Sequence, residues 1–174
     1  MNRQVIIMFQ KCYPMYCVKS VYELDEAFYT SNGIKAVIFD IDNTLVTHDT
    51  PIPPQELMEY FAQLDRWGIK YAIASNNKRS RVELFCRNLG VPYYDRAAKP
   101  LKICLKRLLK KFGVDEKSVC LVGDQLFTDI FGANRMGFVS VLVTAVGEDE
   151  TGFVSFKRVF ERMLMKRYNK SRRG

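Results

Sequence analysis

Residues 34–46, Ile34-Lys35-Ala36-Val37-Ile38-Phe39-Asp40-Ile41-Asp42-Asn43-Thr44-Leu45-Val46, decide how this chain is read. The first half is a nearly continuous apolar run, the signature of a parallel strand buried on both faces. It ends in one carboxylate, Asp40, and a second, Asp42, follows just past the strand end. There the chain can turn both side chains into one crevice. Asn43 and Thr44 are turn formers, and a lone pair of aspartates beside them reads equally well as a solvated turn. The choice depends on what surrounds the stretch.

Working outward, a polar, proline-containing turn at 47–54 leads to a helical pattern over 55–67. There Leu57, Tyr60, Phe61 and Leu64 share a face, and Gly68 stops the helix. A strand is expected over 69–75, a helix over 79–89 closed by Gly90, and a short extended piece at 91–94. Pro100 is expected to open a helix reaching Phe112, with Gly113 beyond its end. A strand at 118–123, a helix over 128–136 stopped by Gly137, and a strand at 139–143 complete the pattern. Strands alternating with helices across short links predict an α/β fold, an open and mainly parallel Rossmann-type sheet with helices on both faces. The basic stretch 155–174 carries Phe156, Val159, Phe160 and Met163 at helical spacing and reads as a basic C-terminal tail on a single domain spanning 1–174.

Composition narrows the class. The chain has 174 residues, 48% of them apolar, enough for one good core. No apolar run approaches the ~20 residues of a membrane span, and the apolar residues 5–9 are too short for a signal-peptide core, so a cytoplasmic protein is expected. The five cysteines include no CxxC pair, which argues for free thiols and against a zinc site. A net charge of +8 favours polyanions without saying which.

In open parallel sheets, functional residues collect at the carboxyl ends of strands. Those ends carry Asp40 and Asp42, then Ser75-Asn76-Asn77, then Gly123-Asp124. A phosphomonoester dianion repels an anionic nucleophile unless a cation intervenes, and Mg2+ suits carboxylate, phosphate and water oxygens. One aspartate can then attack phosphorus while the other handles the leaving-group proton. Asp124 adds an anionic ligand, Ser75 and Thr44 can donate to phosphoryl oxygens, and Lys99 can balance the accumulated negative charge. His48, the only histidine, falls in a polar turn, and Asp42 already fills the general acid–base role.

The ordered set resembles the haloacid-dehalogenase-type (HAD) phosphatases. Asp40 to Val46 is similar to their DxDxT[LV] first motif, Ser75 to the second, Lys99-Pro100 to the third, and Gly123-Asp124 with Asp129 to the fourth. With Tyr16 to Tyr22 and Gly123 to Ile130 added, residues 13–143 resemble the YqeG-type branch of HAD subfamily IIIA, itself similar to phosphatidylglycerophosphate phosphatases. The resemblance implies that Asp40 forms an aspartyl-phosphate. It implies that Asp42 protonates the leaving alkoxide and then activates water. Asp40, the backbone carbonyl of Asp42 and Asp124 would bind Mg2+. Ser75 and Lys99, with Thr44 and Asn76 beside them, would hold the phosphoryl group. Asp129 would support the metal site from behind.

The gaps 43–74 and 76–98 each have room for one helix and for no added cap domain, so an open cleft is expected. An open cleft suits a large or membrane-attached substrate. On 100–112, Lys102, Lys106 and Lys110 recur every four residues, with Arg107 and Lys111 nearby. Such a stripe reads either as a solvated helix face or as a landing surface for anionic lipid at the inner face of a membrane. Three functions therefore stand: a phosphatase acting on phosphatidylglycerophosphate, a soluble phosphatase for a nucleotide, sugar phosphate or phosphoprotein, and a noncatalytic RNA- or ribosome-binding module. No dedicated nucleic-acid motif supports the third, and oligomeric state is not encoded in any pattern found.

Overall fold

The computed structural model describes residues 10–144 and 146. The basic stretch 155–174, including its expected helix, lies outside them. Six strands form one all-parallel sheet: β1 (Tyr16–Val18), β2 (Ala36–Phe39), β3 (Lys70–Ala74), β4 (Tyr93–Tyr94), β5 (Val119–Gly123) and β6 (Val139–Val143), in the order β1-β6-β5-β2-β3-β4. β2 is central, with Phe39 opposite Ile73 on one side and Val122 on the other. All four of its residues are buried.

Strand alternation divides these residues between two cores. Val37 and Phe39 point to the face covered by α2 (Gln55–Arg66) and α3 (Arg79–Cys86), among Leu57, Phe61, Leu64, Val82 and Phe85. Ala36 and Ile38 point to the other face, among Leu105, Leu108, Phe112 and Ala133 of α4 (Lys102–Phe112) and α5 (Phe131–Met136). The small residues Ala36, Ala72 and Ala74 let α4 lie close on the second face. Helices therefore cover both faces. Among the described residues no cap domain is present.

From β2 the chain winds outward to β3 and β4, then returns across the sheet to β5 on the far side of β2. The switch in direction opens a crevice at the carboxyl ends of β2 and β5, where such folds bind ligands. Asp40 directly follows β2, and Asp124 directly follows β5.

Several boundaries differ from the sequence expectation. The helix expected from Pro100 begins at Lys102. Lys99 is held outside it by Asn76, whose Oδ1 accepts from the Lys99 N–H at 2.8 Å and whose Nδ2 donates to the Lys99 carbonyl at 3.1 Å. The Lys99–Pro100 bond is cis, and Leu101, not Pro100, caps the helix. The helix expected over 128–136 instead starts with a π-helical turn, Leu126–Ile130, in which the Gln125 carbonyl accepts from both Asp129 and Ile130. Such turns recur at functional sites because they re-aim side chains. Two elements do not follow from periodicity: the edge strand β1, largely exposed, and α1 (Glu26–Ser31), whose Asp25 side chain accepts from the Phe28 N–H at 2.8 Å. Both are too short for a hydrophobic repeat to register. The cysteines are free, with Cys17 exposed and the other four buried.

Candidate active site

The loop after β2 is wound tightly: the N–H groups of Thr44, Leu45 and Val46 all converge on the Ile41 carbonyl. Asn43 takes a left-handed conformation at φ 61°, which asparagine tolerates better than most residues. This turn brings Asp40 and Asp42 to the same cleft, a cavity of about 270 Å³ that Ser75, Asn76, Asn77, Lys99, Gln125, Thr128 and Asp129 also line.

On the cleft floor, Lys99 Nζ lies 2.7 Å from Asp40 Oδ1 and 2.7 Å from Asp129 Oδ1. Asp124 joins these aspartates: one carboxylate oxygen from each of Asp40, Asp124 and Asp129 lies within 4.8 Å of the others. Burial pushes the Asp40 carboxyl up to about 6; Lys99 works against this, and the neighbouring Asp129 adds to it. Burial also works against the Lys99 ammonium, but Asp129 and Asp40 outweigh it and hold the proton above the usual lysine range. The two directions agree, because one ammonium is shared by two carboxylates, and with Asp124 in the cluster two negative charges remain when all ionise. Asp129 Oδ1 is buried, and the Lys99 ammonium at 2.7 Å is the charge that faces it. The donors are all oxygens and the charge deficit is two, so the cluster fits a hard divalent cation.

The fit is close. Gly123, the last residue of β5, has no side chain because a Cβ there would overlap the Asp129 carboxylate. Asp129 Oδ2 accepts from the Gln125 N–H at 3.1 Å, an arrangement set by the π-helical turn.

Asp42 faces other partners. Its Oδ2 accepts from Asn77 Nδ2 at 3.0 Å, and its Oδ1 accepts from Arg81 Nε at 3.2 Å and Nη2 at 3.1 Å. His48 Nδ1 lies 3.5 Å from the same oxygen, on a side chain 60% exposed. Arg81 in turn spreads over the Phe85 ring and donates to the Pro51 carbonyl at 3.3 Å, which ties the Asp42 turn to α3.

The fold thus gathers Asp40, Asp42, Ser75, Asn76, Lys99 and Asp129 at one cleft, with Asp124 in the acidic cluster. Thr44 lies deeper: it is buried and its hydroxyl donates to Asp124 Oδ1 at 3.4 Å. The Ser75 hydroxyl accepts from the Asn77 N–H at 3.1 Å. Asp129, expected to stand behind the metal site, contributes a carboxylate oxygen to the same cluster. Sequence reasoning missed Arg81, Gln125 and Thr128 and discounted His48. Arg81 and Gln125 each lie within seven residues of a strand end, and that proximity is the one signal that could have flagged them.

Comparison with known proteins agrees with this geometry. The chain matches the family model for mitochondrial PGP phosphatase over residues 2–146. It is 34% identical over 148 residues to the probable phosphatase YqeG of Bacillus subtilis, covering 85% of this chain and 86% of that protein. It is 29% identical over 146 residues to the mitochondrial phosphatidylglycerophosphatase of Saccharomyces cerevisiae, covering 76% of this chain and 77% of that one. Its fold is similar to that of an uncharacterised protein from Listeria monocytogenes serotype 4b, with a TM-score of 0.53 at 20% identity over 68% of this chain and 85% of that chain. An acidic cluster around a buried lysine at the switch point of a HAD-like sheet, together with these relatives, makes the chain a HAD-type phosphomonoester hydrolase that belongs to the mitochondrial PGP phosphatase family.

Proposed function

We propose that this protein hydrolyses phosphatidylglycerophosphate through an aspartyl-phosphate on Asp40, with Mg2+ held by Asp40, Asp124 and the backbone carbonyl of Asp42. The observation that carries this reading is the cluster of the Asp40, Asp124 and Asp129 carboxylates, two of them paired with the Lys99 ammonium, at a cleft that Asp42 also lines. When bound, the ion supplies charge neutralisation and Lewis acidity at the phosphoryl oxygens.

An Asp40 carboxylate oxygen attacks phosphorus, the ester P–O bond breaks, and Asp42 gives its proton to the departing alkoxide. Asp42, now ionised, takes a proton from water. The water oxygen attacks phosphorus, the Asp40–phosphorus bond breaks, and orthophosphate leaves. Lys99 keeps its proton throughout and offsets charge that would otherwise accumulate beside Asp40. Ser75 and Asn76 at the end of β3 line the cleft where the phosphoryl oxygens would sit, while Thr44 fixes Asp124 from below. Asp129 holds Lys99 and the neighbouring carboxylates in register. Arg81 and Asn77 fix the position of the Asp42 carboxyl group, which receives the proton from water in the second step.

The lipid substrate is supported by the family and by the activity of the yeast relative. It is also supported by the lack of a cap among the described residues, since a capless cleft admits a headgroup that remains attached to a surface. The test is phosphate release from phosphatidylglycerophosphate in mixed micelles, with Mg2+ or EDTA, for wild type and Asp40→Asn. Mg2+-dependent release that Asp40→Asn abolishes supports the whole reading. Release from an aryl phosphate alone would keep the phosphatase and remove the lipid, and activity surviving in Asp40→Asn would remove the nucleophile.

A further inference from the structure

The segments that follow or precede cleft residues also carry exposed apolar side chains. Ile52, Leu101 and Ile103 are 56%, 52% and 62% exposed, and none belongs to the hydrophobic cores of the described residues. Each is tied to the cleft through its neighbours. Ile52 follows Pro51, whose carbonyl accepts from Arg81, the residue that grips Asp42. Leu101 lies two residues beyond Lys99, its N–H donating to the Ala98 carbonyl at 2.8 Å, and Ile103 stands in the first turn of α4.

Basic side chains flank them. Lys78 is exposed next to the cleft residue Asn77. Arg96 is exposed, its backbone N–H donating to the Asn77 carbonyl at 3.0 Å, and Lys102 separates the two apolar side chains at the start of α4. Asp49 and Asp95 are the acidic residues of the same loops. Single exposed hydrophobes are ordinary on protein surfaces. Three in segments joined to cleft residues, with lysine and arginine beside them, have the composition of a surface that enters the headgroup boundary of a bilayer.

We propose that this surface is a membrane-docking face, with Ile52, Leu101 and Ile103 entering an anionic bilayer and Lys78, Arg96 and Lys102 lying among its headgroups. The proposal rests on the lipid-substrate reading for its purpose. A lipid phosphomonoester is anchored by its acyl chains, so its phosphate stays near the bilayer surface. A cleft without a cap reaches that phosphate only when its mouth is pressed onto the lipid. The docking face turns the mouth that way, and the apolar side chains on either side keep water from flooding the contact.

The test uses the full chain, wild type and the triple variant Ile52→Ser/Leu101→Ser/Ile103→Ser, in flotation with vesicles of phosphatidylcholine plus phosphatidylglycerol or of phosphatidylcholine alone. Wild type is expected to float with the anionic vesicles and not with the neutral ones. The triple variant should lose at least about tenfold in partitioning, as expected when buried apolar area is removed from an interfacial anchor. Its turnover of a water-soluble aryl phosphate should stay within about twofold of wild type, since none of the three residues lines the cleft, while hydrolysis of phosphatidylglycerophosphate in vesicles falls by about the same factor as binding. Wild type that does not float, or a variant that floats equally well, overturns the docking face. So does a variant whose only change is loss of self-association by light scattering, which would make the face a contact between copies. Failure of the docking face and of the substrate reading are separable. Micellar phosphatidylglycerophosphate turnover without flotation removes only the face, and flotation through these residues without that turnover removes only the substrate.

Discussion

Replacing Lys99 with Met would remove the ammonium from between Asp40 and Asp129 while keeping most of the aliphatic stem. Lys99 sits 2.7 Å from an oxygen of each, and its side chain is 2% exposed. Removing one partner of a buried ion pair leaves uncompensated charge and costs about 3–5 kcal/mol. In a domain of this size, each kcal/mol shifts Tm by about 2–4 °C, so a fall of roughly 6–20 °C is expected in EDTA.

The loss should depend on pH. With Lys99 in place the Asp40 carboxyl is already pushed up to about 6 by burial, and without Lys99 it rises further. A carboxyl raised in the native state binds its proton more tightly there than when unfolded. Its burial cost is therefore present above the native pKa and relieved as pH falls through it. Lys99 has a raised pKa of its own, so its stabilisation is complete below the ordinary lysine value and lost only as pH rises through the native one. Between about pH 5 and pH 8 wild type thus keeps the ammonium, and the variant's deficit should shrink toward acid as Asp40 takes up a proton. Thermal denaturation followed by circular dichroism at both pH values, with EDTA and with Mg2+, measures this. Mg2+ should recover part of the loss by supplying the missing positive charge. A Tm fall below about 2 °C at about pH 8 in EDTA, or a deficit that grows on acidification, would refute the argument.

Two further outcomes follow from the site. Gly123→Ala places a Cβ on the Asp129 carboxylate, so Asp129 must leave the cluster, and Mg2+ affinity by calorimetry should fall about 10–100-fold; unchanged affinity would separate Asp129 from cation binding. Arg81→Ala removes the guanidinium fork from one oxygen of the Asp42 carboxylate, and a hydrogen bond to a charged group is worth about 1.5–3 kcal/mol. In steady-state kinetics on an aryl phosphate, kcat should fall about 10–100-fold with KM nearly unchanged, and Arg81→Lys should recover only part because it lacks the guanidinium fork. Unaltered kcat would show that Asp42 does not depend on Arg81.

The parallel α/β sheet and its order of strands and helices were legible because each depends on a local pattern. Residues 36–39 are apolar at every position, and Leu57, Tyr60, Phe61 and Leu64 recur at helical spacing. Asp40, Asp42, Lys99 and Asp124 were legible for the same reason, since each adjoins a strand end or a helix start. What the pattern could not supply is which side chains meet. Asp42 and Arg81 are 39 positions apart and Lys99 and Asp40 are 59 apart; the pairing of β3 beside β2 brings these partners together, and the return of the chain to β5 then adds Asp124 and Asp129. The π-helical turn that swings Asp129 over Gly123, the pairing of Thr44 with Asp124, and the exposure of Ile52, Leu101 and Ile103 are equally products of packing. Periodicity reports how often a residue faces inward. Its neighbours there are chosen by strand order and crossover, because burial and charge compensation are satisfied between segments distant in the chain.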